Sequence, residues 1–188
     1  LTDTATNSGS RNWSIGNGGT DCGHLSVIVS NAKGGAPESS TGTAALVIDN
    51  AGRVTKPLQP CFHVAFTNNG HTTSSATNLV YDQVFFNVGS NYSTSTGRFT
   101  APIAGKYVFS QQALAASGTA TNSWMSIDKN GTQASTKYLT HTNHSSHDHT
   151  IILSLAVNDY VQVHLGQGVI HTDSTHQKYT YFEGYLLQ

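Results

Sequence analysis

The sequence predicts an all-β chain that folds as a sandwich or a barrel. Two observations carry this prediction. Apolar and polar residues alternate over short segments, as they do along half-buried strands, and Gly, Pro, Asn and Asp separate these segments at turns. No segment carries the apolar spacing of an amphipathic helix of three or more turns. Many short strands joined by regular turns are typical of a sandwich or a barrel.

The first predicted strands lie near the start of the chain. Residues 24–30 place Leu25, Val27 and Val29 on one face, because side chains two positions apart in a strand point to the same side. Residues 45–49 form a second strand, which turn residues follow directly. This early part of the chain therefore has β structure but little apolar material.

Two prolines, Pro57 and Pro60, interrupt strand formation and predict a boundary. We expect residues 1–56 to form a stem, residues 57–60 a proline linker and residues 61–188 a globular head. The stem is too short and too polar to bury a core alone, so we expect it to fold against other chains. A flexible linker with some β content is the alternative.

The head continues the strand pattern to the end of the chain. Asn130 and Gly131 between two strand-like segments predict a tight hairpin. Residues 150–157 are almost continuously apolar, which predicts a strand buried on both faces. Further strands are predicted at residues 61–66, 106–115, 124–128, 161–165 and 179–187.

The composition excludes some partners. Of the 188 residues only 10% are charged, the formal net charge is −1, and Lys and Arg together number nine. No basic stripe could neutralise a row of phosphates, so we expect no nucleic-acid partner. No apolar run approaches the ~20 residues that span a bilayer, so we expect no membrane insertion. The two cysteines, Cys22 and Cys61, are most simply two buried free thiols.

A spaced set of aromatic, Asn and Gly residues runs through the head. Its members are Tyr81, Asn87, Tyr92, Phe99, Gly105, Tyr107 and Phe109, with Phe182 and Gly184 near the end of the chain. This set resembles the signature of the complement globular-head family, the heads of complement component 1, subcomponent q, and their relatives. Two positions depart from the signature: Tyr81 replaces a Phe, and Gln111 replaces an aromatic residue. The resemblance covers residues 61–187.

The resemblance implies a fold and an assembly. The family shares a jelly roll with the tumour-necrosis-factor ligands, so we expect an all-β jelly-roll sandwich. Family heads associate as trimers around a threefold axis, so we expect a homotrimer. The signature residues are expected to form the core, and they say nothing direct about a ligand.

Residues 10–16 and 45–55 resemble stem segments of bacteriophage tail fibres. This second resemblance implies an intertwined trimeric shaft and a virion protein, most simply the distal head of a tail fibre that recognises a host surface. Its partners would be other fibre or tail proteins and a host cell-surface glycan or protein. The alternatives are a capsid-decorating fibre without a receptor and a secreted, complement-like or lectin-like recognition protein of a cellular organism.

Seven of the ten histidines lie between residues 141 and 176. The densest run contains His141, His144, His147 and His149. His147 and His149 would share one strand face, so three chains could bring six imidazoles to the axis, a set that suits an octahedral transition metal. Calcium, which some family heads hold near the apex, would need oxygen ligands instead. A polar His-rich loop and a pH-sensitive or ligand-binding rim are the alternatives.

The sequence does not predict an enzyme. No serine lies in a nucleophile elbow, and no carboxylate pair has glycosidase-like spacing. The Gly-rich stretch at residues 16–19 lacks the Lys-Ser or Lys-Thr ending of a phosphate-binding loop. The sequence therefore favours a protein that binds a partner.

Overall fold

The computed structural model describes residues 9–17, 23–37, 42–68, 70–116, 122–140, 144–172 and 179–188. Every regular element in these ranges is a β-strand. The described residues contain no helix with the length and apolarity needed to cross a membrane. The chain divides into two compact units, residues 1–59 and residues 60–188, and the division falls inside the predicted linker.

The first unit contains one antiparallel sheet of four strands in the order β1-β2-β3-β4. Each strand therefore pairs with the next strand along the chain. The strands are β1 (Trp13–Asn17), β2 (Leu25–Ser30), β3 (Gly42–Ile48) and β4 (Val54–Thr55).

The second unit contains eleven strands. They are β5 (Cys61–Ala65), β6 (Gly70–Asn78), β7 (Gln83–Val88), β8 (Tyr92–Ser93), β9 (Arg98–Thr100), β10 (Gly105–Ala115), β11 (Asn122–Lys129), β12 (Thr132–Thr140), β13 (Ser145–Leu155), β14 (Tyr160–Thr172) and β15 (Thr180–Leu186).

These strands form the two layers of a jelly-roll sandwich, as the sequence predicts. The five-stranded sheet has the order β7-β5-β15-β10-β13. In the second sheet β14 pairs with β11 on one side and with β6 and β9 on the other, and β12 pairs with β11. The layers join at one corner, where Leu114 and Ala115 of β10 pair with His171 and Ile170 of β14. Along β10 the odd-numbered residues from Tyr107 to Ala115 are buried, so their side chains point into the space between the sheets.

A cluster of aromatic rings fills that space. The ring of Phe62 is stacked on those of Tyr92 and Phe99, with centroids 5.2 and 5.1 Å away, and meets Phe182 edge-on at 5.0 Å. Such pairs contribute roughly 0.5–1.5 kcal/mol each beyond the area they bury. The side chains of Phe62, Phe99 and Phe182 are at most 1% exposed, so the aromatic residues of the sequence pattern form the core.

One turn and one strand test the local predictions. Asn130 and Gly131 have φ values of +52° and +79° between β11 and β12, so the predicted tight hairpin is confirmed. The prediction that residues 150–157 are buried on both faces is wrong. Alternate residues of β13 are exposed, and Ile152 keeps 57% of its surface. The apolar residues of this strand therefore lie on both faces of the five-stranded sheet, one covered and one exposed.

Candidate assembly face and buried histidine cluster

The signature residues lie in the head core, where several also make polar bonds. Asn87 bonds the backbone of Tyr92 twice, with its Nδ2 donating to the carbonyl at 2.8 Å and its Oδ1 accepting from the amide at 3.1 Å. The Tyr92 hydroxyl in turn donates to the carbonyl of Tyr81 and accepts from its amide. These bonds join β7 to β8. The remaining signature positions that are large and buried are Phe99, Tyr107, Phe109 and Phe182.

Two of the signature glycines mark close approaches. A Cβ on Gly184 would lie 2.6 Å from Cδ1 of Phe109 and 2.9 Å from the carbonyl oxygen of Val108. A Cβ on Gly105 would lie 2.7 Å from the carbonyl oxygen of Gln188. Both positions need a residue without a side chain because neighbouring strands leave no room for one.

The two features that the sequence singles out separately, Gln111 and the His147–His149 pair, are brought together inside the sandwich. Gln111 lies opposite His149 across β10 and β13, and its side chain is fully buried. Its Nε2 donates to the carbonyl oxygen of His147 and to Nδ1 of His149, each at 3.0 Å. Nε2 of His147 lies 2.6 Å from the hydroxyl oxygen of Ser123 on β11, in the facing sheet. A polar cluster therefore stands where the family signature has an aromatic side chain.

The electrostatics of this cluster favour a neutral imidazole at His149. Desolvation of the half-buried ring lowers the pKa of His149, and the charge of Lys137 on β12 lowers it further. The Asp148 carboxylate and the Ser135 carbonyl act in the opposite direction. Because Gln111 donates to Nδ1 of His149, that nitrogen carries a lone pair and not a proton.

The four histidines predicted as metal ligands are not placed alike. His147 is fully buried and His149 half-buried, and both side chains point into the interior of one head. His144 is exposed, its Nδ1 lies 3.3 Å from the carbonyl oxygen of Ala115, and its ring contacts His171 at a centroid distance of 6.4 Å. His141 lies outside the described residues.

Among the described residues, no three His, Cys, Asp or Glu side chains are grouped closely enough to hold a metal ion. The metal hypothesis therefore stays a prediction, and it would require His147 and His149 to turn out of the interior. A calcium site has no such histidine requirement, but it needs several oxygen ligands.

The outer face of the five-stranded sheet carries an apolar surface that the sequence pattern does not reveal. Cross-strand pairing sets one row of side chains across all five strands: Val88, Cys61, Tyr185, Val108 and Ile152. Tyr185 and Ile152 keep 50% and 57% of their surface. The sequence does contain a signal, because apolar residues also occupy the strand positions between the core residues. Periodicity alone does not show which of the two faces is covered.

The neighbouring row combines aromatic rings with a contact between a histidine and a carboxylate. Its members are Phe86, His63, Glu183, Ser110 and Thr150. Nδ1 of His63 lies 2.8 Å from the Glu183 carboxylate, and the rings of Phe85 and Phe86 lie 4.8 and 6.0 Å from the imidazole. A β-bulge in the pairing of β5 and β7 gives Phe85 this position beside Phe86. Both Phe rings are about half exposed.

An open cavity lies between these two rows. Its volume is about 280 Å³, and it is lined by Cys61, Phe62, Phe86, Glu183, Gly184 and Tyr185. Cys61 is a half-buried free thiol, so it is less enclosed than the sequence predicts, and burial raises its pKa. Cys22 lies outside the described residues. A mostly apolar cavity with one carboxylate at its wall suits an apolar side chain or a small apolar ligand.

Comparison with known proteins agrees with this fold. The chain is 28% identical over 120 residues to mouse complement C1q tumor necrosis factor-related protein 3, covering 62% of this chain and 47% of that protein. It is 28% identical over 144 residues to the human protein of the same name, covering 69% and 53%. The chain thus spans about half the length of the curated relatives it matches.

Solved structures give the same fold at lower identity. The globular domain of zebrafish complement 1qA matches with a TM-score of 0.51 and 14% identity, covering 69% of this chain and 98% of that one. The crystal structure of murine APRIL gives 0.51 and 14% over 69% and 99%. The Eiger TNF structure from S. frugiperda gives 0.54 and 10% over 69% and 93%. These likenesses show the jelly-roll fold.

The interpretation of the chain as a bacteriophage fibre or other virion protein is wrong. The relatives are animal complement-related proteins, and nothing supports virion partners or a virion location. The stretches that resemble fibre stems are short. The family model described as C1q domain, in contrast, matches residues 61–187. Two thirds of the chain, with the signature residues in its core, therefore match one family model, and the chain belongs to the C1q domain family.

Proposed function

We propose that the chain is the recognition part of an extracellular, complement-like protein, and that its head assembles as a homotrimer through the outer face of the five-stranded sheet. The observation that carries this proposal is the apolar row from Val88 to Ile152, which crosses all five strands and in which Tyr185 and Ile152 are about half exposed. Monomeric proteins seldom expose contiguous apolar surface of this kind without a partner.

The chemistry of the face suits burial against protein. Phe85, Phe86, Tyr185 and Ile152 are each about half exposed, and aromatic residues are enriched in the cores of protein interfaces. The Glu183 carboxylate already has a hydrogen-bond partner within the face, Nδ1 of His63. Burying the face would therefore not leave this carboxylate without a partner.

A second and a third copy of the chain are the occupants that fit this face best. The resemblance of the head to trimeric complement heads supports them, and so does the shared jelly roll. In a closed ring of three copies this face of each copy can turn toward the shared threefold axis, and each copy contacts the next through two different patches.

The burial of the Ser–His contact described above favours a binding role over a catalytic one. Ser123 and His147 are 1% and 0% exposed, so a substrate could not reach the hydroxyl without opening the sandwich. The loops and outer surfaces of a rigid sandwich are where ligand recognition commonly resides. An extracellular location accords with the animal complement-related relatives and with a surface that carries few charges.

A matched pair of isoleucine substitutions tests the proposed assembly. Ile152→Glu places a charge in the apolar row, whereas Ile103→Glu places one at a similarly exposed residue in the turn before β10. In sedimentation velocity, the full chain and the Ile103→Glu variant should remain trimeric, and the Ile152→Glu variant should dissociate to folded monomers. An Ile152→Glu protein that stays trimeric would show that this face is not the interface.

A further inference from the structure

One face of the sheet in the first unit exposes large apolar side chains, whereas the other face buries two serines together with Ile28. In β2 the residues Ser26, Ile28 and Ser30 are buried, whereas Leu25 keeps 44% of its surface and lies on the opposite side. We call the face that buries the two serines the serine side. An antiparallel sheet that packs alone normally exposes its polar side chains and buries its large apolar ones.

The buried serine side is covered by the chain itself. The segment 31–37 folds over it, with the Ser14 hydroxyl donating to the carbonyl of Pro37 and Nδ2 of Asn12 donating to the carbonyl of Gly35 at 2.8 Å. The Ser30 hydroxyl accepts from the amide of Asn12 and donates to the carbonyl of Ala32, both at 2.9 Å. These hydrogen bonds satisfy polar groups that burial would otherwise penalise. The serine side is therefore already occupied.

The other side of the sheet is mostly apolar across all four strands, with Asn17 and Thr43 as its polar members. Strand pairing sets Trp13 beside Val29, Ile15 beside Val27 and Leu46, and Leu25 beside Ile48 and Val54. We call these eight residues the stem face. Trp13, Ile15, Leu25 and Val54 are 44, 74, 44 and 56% exposed.

The stem face carries no charged side chain. The nearest charges in sequence, Asp49 and Arg53, lie at the turn between β3 and β4 and bond each other at 2.6 Å. An uncharged and apolar sheet face selects a partner that is itself uncharged, apolar and flat, since charged partners would lose hydration without gaining a counter-charge. In the described part of the chain, the stem face of another copy meets these requirements.

We propose that the stem face packs against the stem faces of two further copies of this chain, so that three sheets enclose one shared apolar core. This inference rests on the proposed trimer of the head, because residues 57–60 tether each sheet to its own head by a short connection. Tethering three copies raises their effective concentration to about the millimolar range, which favours self-association over an unlinked partner. Packed sheets lie roughly 10 Å apart, a distance that interdigitating Trp, Ile, Leu and Val side chains fill.

Photo-crosslinking of the full chain tests the occupant. Trp13 is replaced by p-benzoylphenylalanine, another large aromatic residue, and an equal mixture of ¹⁴N- and ¹⁵N-labelled chains is irradiated. We expect mixed-isotope crosslinks between Trp13→benzoylphenylalanine and peptides of residues 13–17, 25–30 or 42–48. The same group at Lys33, an exposed position on the segment that covers the serine side, should give none of these crosslinks.

The native mass of the same sample separates this inference from the proposed function. A trimer whose crosslinks stay within one isotope, or reach the head of its own chain, overturns the stem proposal and leaves the head trimer intact. A monomer contradicts the head trimer itself. Crosslinks to the same sheet of another copy in a trimeric sample support both.

Substitution of the stem face gives a second readout. Ile15→Glu should raise hydrogen exchange of the amides of residues 25–30 by about tenfold or more while the native mass stays that of a trimer. Lys33→Glu serves as the control and should leave that exchange unchanged. Unchanged exchange in the Ile15→Glu protein would show that nothing packs on the stem face.

Discussion

Nε2 of Gln111 donates to Nδ1 of His149 across a distance of 3.0 Å in the interior of the head. The same nitrogen donates to the carbonyl of His147, also at 3.0 Å. A carbonyl accepts only, so the amide group of Gln111 must present its NH₂ to both partners. Protonating Nδ1 of His149 would set two donors against each other, and this geometry therefore holds His149 neutral.

Stability of the head should fall as the pH falls below about 6.5. The folded-state pKa of His149 is lowered below its ordinary 6.5, first by desolvation and then by Lys137. Between these two pKa values the unfolded chain binds more protons than the folded chain, so the free energy of unfolding decreases with decreasing pH. Urea midpoints measured from pH 7.5 to pH 5 at one protein concentration should show this decrease.

Two single substitutions serve as controls for that pH dependence. His149→Asn removes the titrating group and keeps an acceptor for Gln111, so its midpoint should fall less between pH 7.5 and pH 5. His164→Asn removes a histidine outside the cluster, whose Nδ1 contacts Asn78, and it should leave the slope near that of the parent. Equal slopes in the parent and in His149→Asn would refute the role of His149.

Gln111→Leu should destabilise the head by about 1–3 kcal/mol at pH 7.5, because the buried carbonyl of His147 and Nδ1 of His149 each lose a donor. Gln112→Leu on the outer face of the same strand is the neighbouring control and should cost less. Urea unfolding measures both changes. A Gln111→Leu protein as stable as the parent would mean that the two hydrogen bonds contribute nothing net.

Asn87→Ala should lower the free energy of unfolding by about 1–3 kcal/mol, because two hydrogen bonds to the backbone of Tyr92 disappear together. Asn91→Ala removes one bond, to the carbonyl of Val88, and should cost less. Thermal or urea unfolding ranks the two variants. The reverse order would show that Asn87 is not a main connection between β7 and β8.

The sequence predicts the head core well, because large aromatic side chains at fixed spacing in a small sandwich are buried between its two sheets. Phe99, Tyr107 and Phe109 are all fully buried, as their spacing indicates. The Asn130-Gly131 hairpin is also predictable, because a local backbone requirement decides it. The hairpin depends on two adjacent residues, and the burial of these aromatic residues follows from the alternation of side chains along their strands.

Features that depend on strand pairing could not be predicted in the same way. Gln111 and His149 are 38 positions apart and meet only because β10 and β13 pair in one register. The burial of Ile152 was predicted wrongly, since a run of apolar residues does not show whether a strand has a covered outer face. Leu25, Val27 and Val29 share a face, as their alternation predicts. The alternation did not predict that the segment 31–37 covers the opposite side of the sheet.

The prediction of a virion protein is wrong because it rests on short local patterns. The stem-like stretches at residues 10–16 and 45–55 are short alternating patterns that many sheets share, so their likeness to viral fibres carried little information. The match of residues 61–187 to one family rests on many spaced positions and decides between the two interpretations. The alternative of a complement-like recognition protein is the one that the animal relatives support.

The native mass of the purified full chain tests the central claim most directly. The apolar row on the five-stranded sheet, together with the likeness to trimeric complement heads, predicts a particle of three chains, each of 20.0 kDa, at micromolar concentration. The same spectrum recorded with and without a chelator tests the metal prediction separately, through the loss of a metal mass. A folded chain that has the mass of a monomer would contradict the assembly and, with it, the role proposed for the outer face.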